Sequence, residues 1–152
     1  VKEIELLRTN TVRVAPATRA AAEDSLARLR GELFDVRAEF EAGSASEPGL
    51  RIRGTTILYD ARKHELVCRD RRAPLLPVDG KVRLRLLVDR TSLEIFADDG
   101  LVYMPMAFRP DPAAKAVELV APGSEASKCS LEISELKSIW PQGPVQGTSV
   151  TR

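Results

Sequence analysis

The sequence predicts an all-β chain, two antiparallel sheets packed as a β-sandwich, and three features carry that prediction. Short runs of alternating apolar and polar residues recur along its length. Gly, Pro, Asn and Asp separate these runs at spacings that leave room for strands but not for long helices. Within Lys81 to Phe108, alternation, turn chemistry and cross-strand matching all agree.

From the start of the chain, Val1 to Val14 places Ile4 and Leu6 on one face, with Val12 and Val14 resuming after Asn10, and is expected to form an opening strand rather than a helix. Thr18 to Gly31 is rich in Ala, Glu and Arg. Leu26 and Leu29 lie three apart in it, which suits a short helix or turn ended by Gly31, with at most one short helix near 18–30. From Glu32 to Glu41 the side chains of Phe34, Val36, Ala38 and Phe40 point one way and those of Asp35, Arg37, Glu39 and Glu41 the other, the pattern of a half-buried strand.

Gly43 to Gly49 is a surface loop by composition. Leu50 to Arg53 resumes alternation, and Thr55 to Tyr59 with Glu65 to Cys68 suggests a hairpin across Asp60 to Lys63. Pro74, Pro77 and Asp79-Gly80 punctuate the approach to the central meander.

In the meander, a two-residue loop at Arg90-Thr91 would set Val88 against Leu93, Leu86 against Ile95 and Leu84 against Ala97. A second loop at Asp99-Gly100 would set Ala97 against Val102, Ile95 against Met104 and Leu93 against Met106. One face is then apolar across three strands. Asp-Gly supports its loop strongly because a primed turn needs positive φ, whereas Arg-Thr supports the first loop only by register. Beyond it, Arg109 to Pro112 reads as a loop, Ala116 to Val120 as a short strand and Pro122-Gly123-Ser124 as a turn. A last strand begins at Leu131 and Ile133 and runs through Leu136 toward Ile139 and Trp140. Residues 1–140 are thus expected to form the β-sandwich and 141–152 a flexible tail.

The 152 residues allow one domain that buries roughly two-thirds of its unfolded surface. With 23 basic and 22 acidic side chains, no general electrostatic case exists for nucleic acid or an anionic membrane. No apolar run approaches the roughly 20 residues of a membrane-spanning helix, and the opening residues lack the order of a signal peptide. A beginning on Val-Lys-Glu is the expected mark of a fragment. Cys68 and Cys129 match no zinc spacing and read as core or half-buried thiols, so neither metal nor cofactor is expected.

Other chemical readings have simpler explanations. The turn accounts for Asp99, and Asp98 beside it points elsewhere as a hairpin neighbour. Ser134 and Lys137 fit a Ser-x-x-Lys pattern, but that pattern needs a helix and partner motifs. His64, the single histidine, sits in a charged turn and reads as solvated.

The stretch Leu84-Arg85-Leu86-Leu87-Val88-Asp89-Arg90-Thr91-Ser92-Leu93-Glu94-Ile95-Phe96, followed by Asp99-Gly100, resembles the signature of the C-terminal β-sandwich domain of glycoside hydrolase family 32, the invertases, levanases and inulinases. The flanks agree. Val1 to Arg8 resembles the segment that leaves the catalytic propeller, Gly31 to Val36 the early strand, and Leu136 to Trp140 the closing Leu-Lys-Ser-Ile-Trp. Asp98 stands where asparagine is frequent, and Pro105 falls within a strand, which suggests an edge or a bulge there. The resemblance implies a concanavalin A-like or jelly-roll sandwich that packs on a five-bladed catalytic propeller. Family enzymes are retaining glycosidases whose two carboxylates lie roughly 5 Å apart. Those groups occupy propeller motifs that do not occur in this sequence, so no catalytic residue is transferred. What is expected is a non-catalytic module of an enzyme that cleaves sucrose or fructans. The alternatives are a free-standing lectin-like module or an oligomerisation module.

One surface has binding content. By the predicted pairing, Arg85, Phe96 and Tyr103 sit side by side across three strands on the outer face of the meander, with Leu87 and Glu94 next to them. Aromatic rings stack on sugar faces, and arginine can lie over a ring or donate to hydroxyls. An interdomain contact is the expected use of this face. Fructan or sucrose, or a second copy of the chain, are the alternative occupants.

Overall fold

The computed structural model describes residues 2–15, 19–43, 47–120 and 129–139. Among these, two antiparallel sheets face one another. The larger runs in the order β1 (Arg8–Val14), β11 (Cys129–Leu136), β2 (Phe34–Glu41), β7 (Lys81–Val88), β8 (Ser92–Ala97) and β9 (Val102–Ala107). The smaller runs β10 (Val117–Val120), β3 (Gly49–Ile52), β4 (Thr55–Asp60), β5 (Glu65–Cys68) and β6 (Arg71–Pro74). Two short helices, α1 (Lys2–Glu5) and α2 (Arg19–Leu26), and one 3-10 turn at Asp98–Gly100 accompany the sheets.

Alternation decides what lies between the sheets. Phe34, Val36, Phe40, Leu86, Ile95 and Ile133 from the larger sheet are sealed from solvent against Leu50, Ile52, Ile57, Tyr59 and Leu66 from the smaller. Each such side chain contributes about 1.5–3 kcal/mol on burial, so the core dominates stability. Cys68 and Cys129 are buried thiols, and burial pushes the Cys68 thiol up from its ordinary pKa. Helix α2 packs against β1 and β10, burying Ala22 and Leu26, with Leu29 following in the turn.

The meander has the predicted register throughout, Val88 to Leu84 against Leu93 to Ala97, and Leu93 to Ala97 against Met106 to Val102. The Asp89 N–H donates to the Ser92 carbonyl at 2.9 Å and closes the Arg90-Thr91 loop. At the second turn Asp99 (φ 55°, ψ 29°) and Gly100 (φ 92°) take the left-handed conformations of a primed turn, and Leu101 N–H donates to the Asp98 carbonyl at 3.2 Å.

Pro105 is accommodated without a bulge. Asp89 bonds Ser92 on the β7 side, and Phe108 N–H donates to the Thr91 carbonyl at 2.8 Å on the β9 side. Even-numbered residues of β8 therefore turn their backbone groups toward β7 and odd-numbered ones toward β9. Glu94 and Pro105 form a non-hydrogen-bonded pair, so the N–H that proline lacks would point off the sheet edge. At the same edge Arg69 Nη1 donates to the Ala107 carbonyl at 3.1 Å. The outermost strand thus offers little to a passing strand.

Four expectations need correction. Lys2–Glu5 is one helical turn, where an opening strand was expected and the sole helix was placed near 18–30. Arg8 already pairs with Leu136, the last residue of β11, so the chain before Arg8 has no strand to join. The last strand ends at Leu136 and does not run on to Ile139. Helix α2 ends at Leu26, and a turn separates it from Gly31. Strand β6, Arg-Arg-Ala-Pro, was unforeseen because it has no alternation. The Pro122-Gly123-Ser124 turn, Trp140 and the tail lie outside the described residues.

Candidate functional site

Pairing across the larger sheet lines up one outward residue from every strand. Arg13 opposes Glu132, Glu132 opposes Arg37, Arg37 opposes Arg85, Arg85 opposes Phe96, and Phe96 opposes Tyr103. At about 4.8 Å per strand spacing this row is about 24 Å long. From Arg13 to Phe96 it forms the floor of a depression of about 920 Å³, whose lining includes Arg13, Arg37, Arg83, Arg85, Phe96 and Glu132.

Beside the row lies a buried carboxylate. Asp35 points outward as its position in the alternation requires, yet its side chain is wholly covered. Arg85 Nε and Nη2 donate to its two oxygens at 2.9 and 3.1 Å, and Arg8 Nη2 donates to Oδ2 at 2.6 Å. Burial alone would raise the Asp35 pKa, but the hydrogen bonds from Arg85 and Arg8 outweigh it and hold the carboxyl below its ordinary value. Asp35 in turn fixes the Arg85 guanidinium in the floor of the depression.

A second ion pair flanks the row. Glu39 accepts from Lys81 Nζ at 2.6 Å and from Arg83 Nε at 3.0 Å. The Lys81 hydrogen bond is the main reason its pKa lies below the ordinary value. At the far end of the row, Arg13 Nε donates to Glu132 at 2.9 Å.

The aromatic end is built by the meander. Phe96 and Tyr103 stack with ring centroids 4.9 Å apart and planes 25° from parallel. Tyr103 is 53% exposed. Partial desolvation, then the Glu94 carboxylate, push its hydroxyl up from the ordinary pKa.

The five residues singled out from the sequence share this outer face but divide between two hollows. Arg85, Leu87 and Phe96 line the large depression. Glu94 lines a smaller groove with Leu87, and Tyr103 borders Phe96. The apolar lining of that groove is Ile4, Leu7, Leu33, Leu87, Val88, Leu136 and Ile139, bordered by Asp89, Arg90, Glu94 and Lys137. Next to it in the chain, Leu6 is 79% exposed, and Ile139 within it 73%. Arg13, Arg37 and Glu132 were not foreseen, since only pairing between distant strands brings them into the row.

Of the residues set aside earlier, Asp99 lines the edge of the depression and Ser134 lies one row over on the same face, while His64 is on the other sheet's hairpin. His64 is exposed, with Nδ1 3.0 Å from the hydroxyl of buried Tyr59. Ser134 stands between Thr11 of β1 and Asp35 of β2, its hydroxyl 2.9 Å from that of Thr11. Asp98 Oδ1 accepts from the Arg83 N–H at 3.2 Å.

Comparison with known proteins places the fold. The family model described as "Glycosyl hydrolases family 32 C terminal" matches residues 3–137. The levanase of Bacillus subtilis (strain 168) is 34% identical over an alignment of 169 residues that covers 95% of this chain and 25% of the levanase. A second levanase, from Bacillus sp. (strain L7), is 28% identical over 92% of this chain and 18% of its own length. This chain therefore spans a quarter or less of the levanases it matches. Among solved structures, exo-inulinase from Aspergillus awamori superposes with a TM-score of 0.64 at 24% identity, over 87% of this chain and 27% of the inulinase. Sucrose-6-phosphate hydrolase from Lactobacillus gasseri gives 0.68 at 15% identity, over 92% of this chain and 30% of the hydrolase. These likenesses show the sandwich fold. With its own two sheets and a family match along nearly all the described residues, the chain belongs to the C-terminal domain family of glycosyl hydrolases family 32.

Proposed function

We propose that this chain is the non-catalytic accessory module of a β-fructosidase that cleaves sucrose or a fructan, and that it packs against the five-bladed catalytic propeller and stabilises it. The carrying observation is the proportion of the match: nearly all of this chain, 95%, corresponds to only 25% of a levanase. The state of the carboxylates supports the reading. Retaining hydrolysis needs one carboxyl kept protonated as an acid, with a raised pKa. The two carboxylates beside the large depression whose pKa values shift, Asp35 and Glu39, both shift down, and each is tied to two cations.

The contact with the propeller is assigned to the apolar groove of Ile4, Leu7, Leu87, Leu136 and Ile139, extended by exposed Leu6. In a polypeptide of this plan the preceding domain enters at α1, beside that groove. Exposed apolar side chains contiguous with an apolar groove are the mark of a surface that another surface covers. The test is the paired substitution Leu6→Asp and Ile139→Asp. It should leave the melting temperature of the isolated chain within about 2 °C, because both side chains are exposed, while lowering that of the intact polypeptide by about 5 °C or more. An unchanged intact polypeptide would refute this placement of the contact.

A further inference from the structure

We propose that the row from Arg13 to Phe96, backed by Tyr103, is a carbohydrate-binding groove in its own right, taking a linear oligosaccharide laid across the strands of the larger sheet.

Three observations point to a sugar. The first is shape. The depression of about 920 Å³ is open, and its floor crosses five strands, so it suits an elongated chain better than a compact ligand.

The second is charge. The charged groups beside the groove are held in ion pairs: Arg8 and Arg85 share Asp35, Lys81 and Arg83 share Glu39, and Arg13 bonds Glu132. Arg37 has only a loose contact with Glu5 at 3.6 Å. What the pairing supplies is not neutrality, since cations still outnumber carboxylates along the face. Its fixed guanidinium and carboxylate groups instead offer paired donors and acceptors, which is what vicinal hydroxyls require.

The third is the aromatic end. Tyr103 supports one face of Phe96, and Phe96 lines the groove beside Arg85 and Leu87. A rigid aromatic wall beside hydrogen-bonding groups can stack on the C–H face of a sugar while its hydroxyls are held.

The choice of a fructan as first ligand rests on the proposed β-fructosidase parent, whereas the groove itself does not. The experiment is calorimetric titration of the 152-residue chain with a levan oligosaccharide, an inulin oligosaccharide and maltohexaose. The parent chain should bind at least one of them. Phe96→Ala should weaken that binding by about tenfold or more. Arg37→Ala, at a half-exposed position where folding is not at stake, should weaken it by about threefold or more. Arg28→Ala, on the exposed side of the turn after α2, should leave it unchanged.

Binding of maltohexaose alone, lost in the Phe96 and Arg37 variants, would support the groove and count against a fructosidase parent. Failure of all three sugars to bind would overturn the proposal. So would binding that survives both substitutions in folded protein.

Discussion

Asp35→Ala is expected to destabilise the chain by about 3 kcal/mol, a fall in melting temperature of about 10 °C, measured by thermal or denaturant unfolding. The cause is what remains behind. Arg8 and Arg85 were brought together around one covered carboxylate, and without it two guanidinium groups face each other without their shared counter-charge. They retain 21% and 27% side-chain exposure, so water relieves part of the cost and the lower end of the range for a broken buried pair applies.

The pH dependence follows from the sign of the shift. The folded Asp35 pKa lies below its unfolded value, so the folded state binds its proton less readily. The resulting stability is fully present above the unfolded pKa of about 3.9 and is lost as pH falls through the folded value. Glu39 and Glu135 shift in the same direction, so the whole chain should lose stability on acidification below about pH 4. Asp35→Asn should remove part of that slope. An identical acid profile in parent and variant would show that the Asp35 cluster contributes nothing.

Gly49→Ala is expected to cost about 3 kcal/mol, as much as many core truncations, although it adds a single methyl group. Gly49 pairs with Leu58 on one side and Val120 on the other. A Cβ placed there would lie 2.1 Å from the Ile57 carbonyl oxygen and 2.8 Å from Leu58 Cδ2. The leucine tip can move. The carbonyl belongs to a central strand whose Ile57 pairs with both Leu50 and Cys68, so relief requires that strand to shift. Gly80→Ala is the contrasting case. Its Cβ would meet open space, but φ of +72° makes a side chain costly by about 1 kcal/mol. Equal losses in the two variants would contradict the steric account.

How much of this could be read from the residues depended on the sequence distance over which strands pair. The three strands of the meander follow one another, and Asp99-Gly100 encodes its own turn, so Arg85, Phe96 and Tyr103 were aligned before any coordinates. The other half of the row depends on β1, β11 and β2. Arg13 and Glu132 are 119 residues apart, and no local turn sets their register. Asp35 shows a related gap. Alternation put it correctly on the outer face, but its burial comes from Arg8, 27 residues earlier, and Arg85, 50 later. Strand β6 was illegible because Arg-Arg-Ala-Pro carries no alternation, and its pairing depends on a register that β5 supplies. The helical turn at Lys2–Glu5 was misjudged because apolar spacing alone does not say where a partner strand ends.

The central claim is that this domain serves a fructoside-cleaving enzyme without performing the cleavage, its outer sheet face reserved for contacts. The most direct measurement is fructose release from levan, inulin and sucrose by the purified 152-residue chain. The account predicts none above the buffer control. Turnover that a single Asp or Glu substitution abolishes in an otherwise folded chain would contradict it.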